Sequence, residues 1–197
     1  MALVLASGSA IRAQMLRNAG IVFDTAPARV DEGAIRAALE HEGAHARDIA
    51  DALAEAKARK VAGRRLDALV LGCDQVLGLK GAVLEKPATV EDARAQLKRL
   101  RGQSHQLFSA AVLYADGAPI WRHVGTARLE MRDFSDAYLD GYLARNWPGI
   151  GASVGAYKLE QEGVRLFARI QGDYFTILGL PLLELLNYLA LRGEVEG

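Results

Sequence analysis

An acid at the end of an apolar run sets the terms for this chain. The segment Asp67-Ala68-Leu69-Val70-Leu71 reads as a buried strand, and it leads through Gly72 and Cys73 into Asp74. A carboxylate delivered there is costly unless a ligand, a metal or hydrogen-bond donors receive it, so the placement points to chemistry. A second apolar run, Leu3-Val4-Leu5-Ala6, ends on Ser7-Gly8-Ser9, and Glu85-Lys86-Pro87 follows Asp74 within the length of one short hairpin. Hydroxyls, cations and an acid thus arrive at the ends of separate elements.

The rest of the chain alternates between strand and helix patterns. After the first strand, a helix ends near Asn18-Ala19-Gly20, where glycine supplies the stop, and Ile21-Val22-Phe23 starts another strand. A helix from about Asp48 to Arg64 carries Ile49, Leu53, Ala56 and Val61 on one stripe. Thr89-Val90-Glu91-Asp92 resembles a capping box and opens a helix whose Ala93, Leu97 and Leu100 share a face. His105 to Tyr114 and Arg122 to Arg132 read as extended, with Ala127, Leu129 and Met131 alternating against charged neighbours. Ser135 caps a further helix, Val164 to Ile170 and Tyr174 to Leu178 read as strands, and Pro181 opens the final helix. This order indicates an α/β fold, and the adjacent extended segments indicate a mixed sheet. No repeat or linker divides residues 1–197, so a single domain, divisible into two lobes, is expected.

Composition excludes several classes. Lys+Arg and Asp+Glu both total 24, and zero net charge removes the general footprint of a nucleic-acid binder. The longest apolar stretch, Phe175 to Leu191, is broken by Gly179, Pro181, Glu184 and Asn187, so no membrane span is expected. Met1-Ala2-Leu3-Val4 begins neither a charged leader nor an apolar signal core, and the lone Cys73 has no disulfide partner, so a cytoplasmic protein is expected.

Candidate site residues each carry a plainer alternative. Ser7, Ser9 and Arg12 suit a phosphate at a helix N-terminus, where free amides and the dipole favour an anion; the alternative is a serine cap followed by a solvated arginine. Lys57 lies within an apolar stripe, four residues after Leu53 and four before Val61, so its amine either meets an anion or extends out of the interface. Asp31-Glu32, Asp74 and Glu85 offer an all-oxygen shell suited to Mg²⁺ or Mn²⁺, although acidic pairs are commonly solvated. The histidines show no metal-ligand spacing and are read as structural, as are the aromatic residues.

Taken in order, Leu5-Ala6-Ser7-Gly8-Ser9-Ala10-Ile11-Arg12, Asp31-Glu32, Ala54-Glu55-Ala56-Lys57-Ala58, Gly72-Cys73-Asp74-Gln75, Leu84-Glu85-Lys86-Pro87, Leu100-Arg101-Gly102-Gln103-Ser104-His105 and Gly179-Leu180-Pro181-Leu182 resemble the motifs of the Maf family across almost the whole chain. The resemblance implies a cytoplasmic nucleoside triphosphate pyrophosphatase, often dimeric, with a cleft between the lobes of an elongated fold similar to that of inosine triphosphate pyrophosphatases. It implies hydrolysis of the α–β phosphoanhydride with a divalent metal, Mg²⁺ or Mn²⁺, and an association with septum formation. Asp74 matches the family's catalytic acid, taken as proton acceptor. Ser7, Arg12, Lys57 and Lys86 match its phosphate-handling positions, with Ser9 beside them, and Glu32 joins Asp74 as a metal carboxylate.

For the base, Gln75 and Glu160 resemble the branch acting on 7-methylguanosine triphosphate. An ionised carboxylate only accepts hydrogen bonds, which suits the N–H donors of guanine's pairing edge. Ile11 departs from that branch, which has tryptophan there, so the stacking platform for a cationic base is missing. A broad triphosphate pyrophosphatase leaning to guanine or modified bases is the expectation. The alternative is a nucleotide-binding regulator of cell division with little turnover.

Overall fold

Two long strand candidates pair with each other and organise everything else. In the computed structural model, which describes residues 1–196, the strands are β1 (Ala2–Leu5), β2 (Phe23–Thr25), β3 (Ala68–Leu79), β4 (Ala82–Leu84), β5 (Ser104–Ala115), β6 (Ala118–Met131) and β7 (Phe167–Gln171). The helices are α1 (Ala10–Asn18), α2 (Glu32–His41), α3 (Ala46–Ala62), α4 (Val90–Leu100), α5 (Asp136–Asn146), α6 (Tyr174–Ile177) and α7 (Leu182–Leu191). The strands form one seven-stranded sheet in the order β2-β1-β3-β5-β6-β7, with β4 beside β3. β1 runs parallel to β2 and β3, and the remaining pairings are antiparallel, so the sheet is mixed as its sequence pattern implies.

Successive residues of β3 address opposite faces. Leu69, Leu71 and Cys73 pack with α1 and α7, through Leu16, Leu182 and Leu185. Ala68, Val70 and Val76 pack on the other side against Ile49, Leu53 and Ala58 of α3. Further along, Leu77 and Leu79 join Leu97 of α4 and Tyr142 of α5 in a third cluster. The capping box of α4 is present: Thr89 accepts from Asp92 N, and the Asp92 side chain accepts from Thr89 N. Among the described residues no helix is long and apolar enough to cross a membrane.

Four local expectations change. β3 does not stop near Leu71 but continues to Leu79, because β5 pairs with it from Val70 to Gly78; Asp74 therefore lies within a strand. Tyr174–Ile177 is a helical turn, although its aromatic and β-branched residues favour a strand. The Asp173 carboxylate accepts from Thr176 N at 2.8 Å, and Gly172 and Gly179 bracket the turn at φ +129° and +103°, so capping overrides propensity. The segment starting at Val164 begins in a 3-10 turn, Glu162–Leu166, before β7. Finally, α2 is an unexpected helix: it rests on the core only through the half-buried Ile35 and Leu39, and Asp31 caps it, accepting from Ala34 N at 2.9 Å.

Candidate active site

A gap in the sheet exposes the edge of β3 where the site forms. β1 pairs with β3 only through Leu5 opposite Leu71, and β4 takes up the same edge at Leu77, so residues 72–76 lack a strand neighbour there. Arg12 reaches into this gap from α1. Its Nη1 donates to Cys73 O at 3.1 Å and to Ser7 Oγ at 3.2 Å, and its Nε donates to Gly179 O at 2.7 Å. Arg12 is buried, so the solvated-arginine reading does not hold. Ser7 Oγ also accepts from Ser9 N at 3.2 Å, which leaves its own proton for a ligand. Ser9 sits at the N-cap of α1 but makes no capping bond with its side chain, so both hydroxyls remain available.

On the other face, Gly72 brings α3 unusually close. A Cβ there would stand 2.1 Å from Ala54 O and 2.6 Å from Ala58 N, so only glycine fits. This approach delivers Lys57 to the acid. Lys57 Nζ lies 2.5 Å from Asp74 Oδ1 and 3.0 Å from Glu32 Oε1, with Lys57 and Asp74 both buried. The lysine meets an anion rather than extending to solvent. Lys86 lies on the exposed segment after β4, but its amine feels the same cluster. Its pKa is held below the usual lysine value, first by lost solvation and then by the Arg12 charge; Lys57 adds to this, while Glu32 and Asp74 oppose it.

Two acidic candidates stay outside. Asp31 serves as the cap of α2, and Glu85 pairs with Arg36 at the surface. Cys73 is buried, and desolvation pushes its thiol up to about 11, so it remains an inert packing group. Among the described residues no three His, Cys, Asp or Glu side chains converge as a complete metal cage. Asp74 and Glu32 nevertheless aim oxygens at one cationic point, now held by Lys57 Nζ. Two carboxylates completed by substrate phosphates fit a divalent ion such as Mg²⁺, which seldom uses an all-protein cage.

Ile11, Gln75 and Glu160 line one narrow cavity of about 40 Å³, with Leu107, Tyr157 and Leu178. Gln75 follows Asp74 and so faces the opposite side of β3, towards α6. Glu160 is exposed and has no ion-pair partner among the described residues. Its neighbour Glu162 is held at about 2 by hydrogen bonds from Arg145 and then Asn146, which pins the loop. His105 Nε2 lies 2.8 Å from the Tyr157 hydroxyl behind the cavity, a structural role as expected.

Sequence reasoning misses Ser109, Thr176 and Gly125, which brace Gln75. The available signals are slight: one serine within the apolar run Leu107 to Ala115, and one glycine inside an alternating strand.

With this geometry in view, the relatives become informative. Residues 2–191 match the family described as Maf-like protein. A protein of Ruegeria pomeroyi named nucleoside triphosphate pyrophosphatase is 60% identical over 98% of both chains. One of the same name from Roseobacter denitrificans is 61% identical over 98% of this chain and 97% of its own. A Mesorhizobium japonicum protein named 7-methyl-GTP pyrophosphatase is 51% identical over 99% of this chain and 98% of its own.

Proposed function

The chain belongs to the Maf family, and on that premise we propose that it is a nucleoside triphosphate pyrophosphatase whose reaction takes place at Asp74. The observation that carries this is the contact of Lys57 with both Asp74 and Glu32, at 2.5 and 3.0 Å, beside the open β3 edge that Arg12 occupies. The cleft is read as lying between a lobe built on α1, α3 and α7 and a lobe built on α4 and α5.

In this reading the triphosphate lies along Ser7, Ser9, Arg12, Lys57 and Lys86. Asp74 accepts a proton from a water aligned with the α-phosphorus. The water oxygen bonds to that phosphorus, the α–β bridging P–O bond breaks, and pyrophosphate leaves with the bonding pair. Lys57, Lys86 and Arg12 offset the negative charge gathering on the phosphate oxygens and the leaving group. Lys86 is suited to this because its amine, its pKa lowered first by lost solvation and then by the Arg12 charge, gains a counter-charge when the anionic triphosphate binds. Asp74 and Glu32 would hold a divalent metal, Mg²⁺ or Mn²⁺, which when bound supplies Lewis-acid polarisation of the phosphates.

Gln75 and Glu160 favour guanine or a modified guanine, and the relative named 7-methyl-GTP pyrophosphatase supports that direction. Ile11 offers no aromatic face, which favours breadth over tight selection of a cationic base. Zero net charge gives no general attraction to nucleic acid or to an anionic membrane, which suits action on free nucleotides; a cytoplasmic homodimer is part of the same proposal. Turnover of a nucleoside triphosphate panel in H₂¹⁸O tests the reaction. The label is expected in the monophosphate; label in pyrophosphate would place attack at the β-phosphorus, and binding without turnover would favour a nucleotide-binding regulator.

A further inference from the structure

One row of the sheet sets the direction of the Gln75 amide. Gln75, Ser109 and Gly125 stand opposite one another across β3, β5 and β6. A Cβ on Gly125 would lie 2.5 Å from Thr176 Oγ1 and 3.2 Å from Pro181 Cβ, so glycine lets α6 settle onto this row. Settled there, α6 turns backbone carbonyls towards Gln75. Its Nε2 lies 3.2 Å from Thr176 O, 2.9 Å from Ile177 O and 2.9 Å from Ser109 Oγ.

Carbonyl oxygens only accept, so the end of the amide facing them must be its NH₂. Ser109 is fully buried and donates its single proton to Thr176 O at 2.7 Å, so it too meets Gln75 as an acceptor. A flipped amide would set its oxygen against three acceptors. Gln75 Oε1 is thereby turned away from α6, and it accepts no hydrogen bond within the chain among the described residues, while Gln75 lines the cavity shared with Ile11 and Glu160.

We propose that Ser109 is a specificity-positioning residue: with the Thr176 and Ile177 carbonyls it fixes the Gln75 amide so that a carbonyl oxygen faces the bound base. The inference rests on the pyrophosphatase reading. Gln75 Oε1 and the Glu160 carboxylate then present two acceptors, complementary to a base edge with adjacent N–H donors, as in guanine. In this arrangement the exocyclic amine faces Gln75 Oε1; hypoxanthine lacks it and leaves that half-buried acceptor unpaired, which a polar site penalises.

The test is kcat/KM for GTP and ITP, read as pyrophosphate release, in wild type, Ser109→Ala, Gln75→Met and the double variant. Wild type is expected to prefer GTP by about 10-fold or more. The ratio should fall about 5-fold in Ser109→Ala and approach one in Gln75→Met. Ser109→Ala should change nothing further in the Gln75→Met background, because it acts through that side chain. A purely structural Ser109 would lower the melting temperature and leave the GTP:ITP ratio intact, which overturns the proposal. Equal turnover of GTP and ITP by wild type also overturns it while leaving the pyrophosphatase reading standing; no release from any nucleotide overturns both. Should Ser109→Ala not fold, Ser109→Cys, with its weak S–H donor, takes its place under the same criteria.

Discussion

Adding one methyl group at Gly72 should damage stability and chemistry together. The new Cβ would stand 2.1 Å from Ala54 O and 2.6 Å from Ala58 N, whereas ordinary contact begins near 3.4 Å. Both obstacles are backbone atoms of α3 and cannot rotate aside, so the helix must retreat from β3 by about 1 Å. Overpacking of this kind costs about 1–3 kcal/mol. For a chain of this length that lowers the melting temperature by roughly 2–12 °C. The same retreat draws Lys57 Nζ away from Asp74, now 2.5 Å distant. A displacement of about 1 Å in a positioned group can cost around 100-fold in turnover. Calorimetric melting and steady-state pyrophosphate release of Gly72→Ala beside wild type measure both. A variant that melts and turns over like wild type would refute the link between this glycine and the Lys57–Asp74 contact.

Other residues give independent checks. Lys57→Met strands the buried Asp74 carboxylate and should cost about 3–5 kcal/mol in denaturant unfolding, with much of the loss recovered in Lys57→Met/Asp74→Asn; equal stability of Lys57→Met and wild type would contradict the pairing. Arg12→Lys loses the fork that reaches Ser7, Cys73 and Gly179, so kcat/KM should fall roughly 10- to 150-fold, as expected for losing a charged hydrogen bond. Burial depresses His105 from 6.5 to about 4, so the unfolded chain binds the extra proton between those values. The stabilisation from its neutral form is complete above about pH 6.5 and is lost as pH falls towards 4, at up to about 1.4 kcal/mol per pH unit. Unfolding of His105→Leu across that range should lack this slope; a slope identical to wild type would rule the histidine out.

Much of the site is visible in the sequence because its groups break local patterns. Lys57 interrupts an apolar stripe, Asp74 follows an apolar run, and Ser7 ends another. Their meeting is not visible, because it depends on how closely α3 approaches β3 at Gly72. Strand and helix periods disclose β1, β5, β6, α3 and α4; on α3, Ile49, Leu53 and Val61 are buried as their spacing implies, whereas Ala56 is only half-buried and Ala54 and Ala58 share the inner face instead. α2 stays hidden because its apolar stripe amounts to Ile35 and Leu39, one turn apart and only half-buried, too short a run to mark a period. α6 is misread because its side chains favour a strand while a carboxylate cap and two flanking glycines decide its backbone. Ser109 gains its role only through pairing with Gln75 across strands, a relation that neither local segment contains.

The most direct measurement is pyrophosphate release from nucleoside triphosphates by Asp74→Asn beside wild type, with circular dichroism confirming that both are folded. Asparagine keeps the shape of the side chain but cannot serve as the proton acceptor. A folded variant with turnover reduced about 100-fold or more is the expected result. Turnover within a few-fold of wild type would contradict Asp74 as the base and, with it, the account of this site.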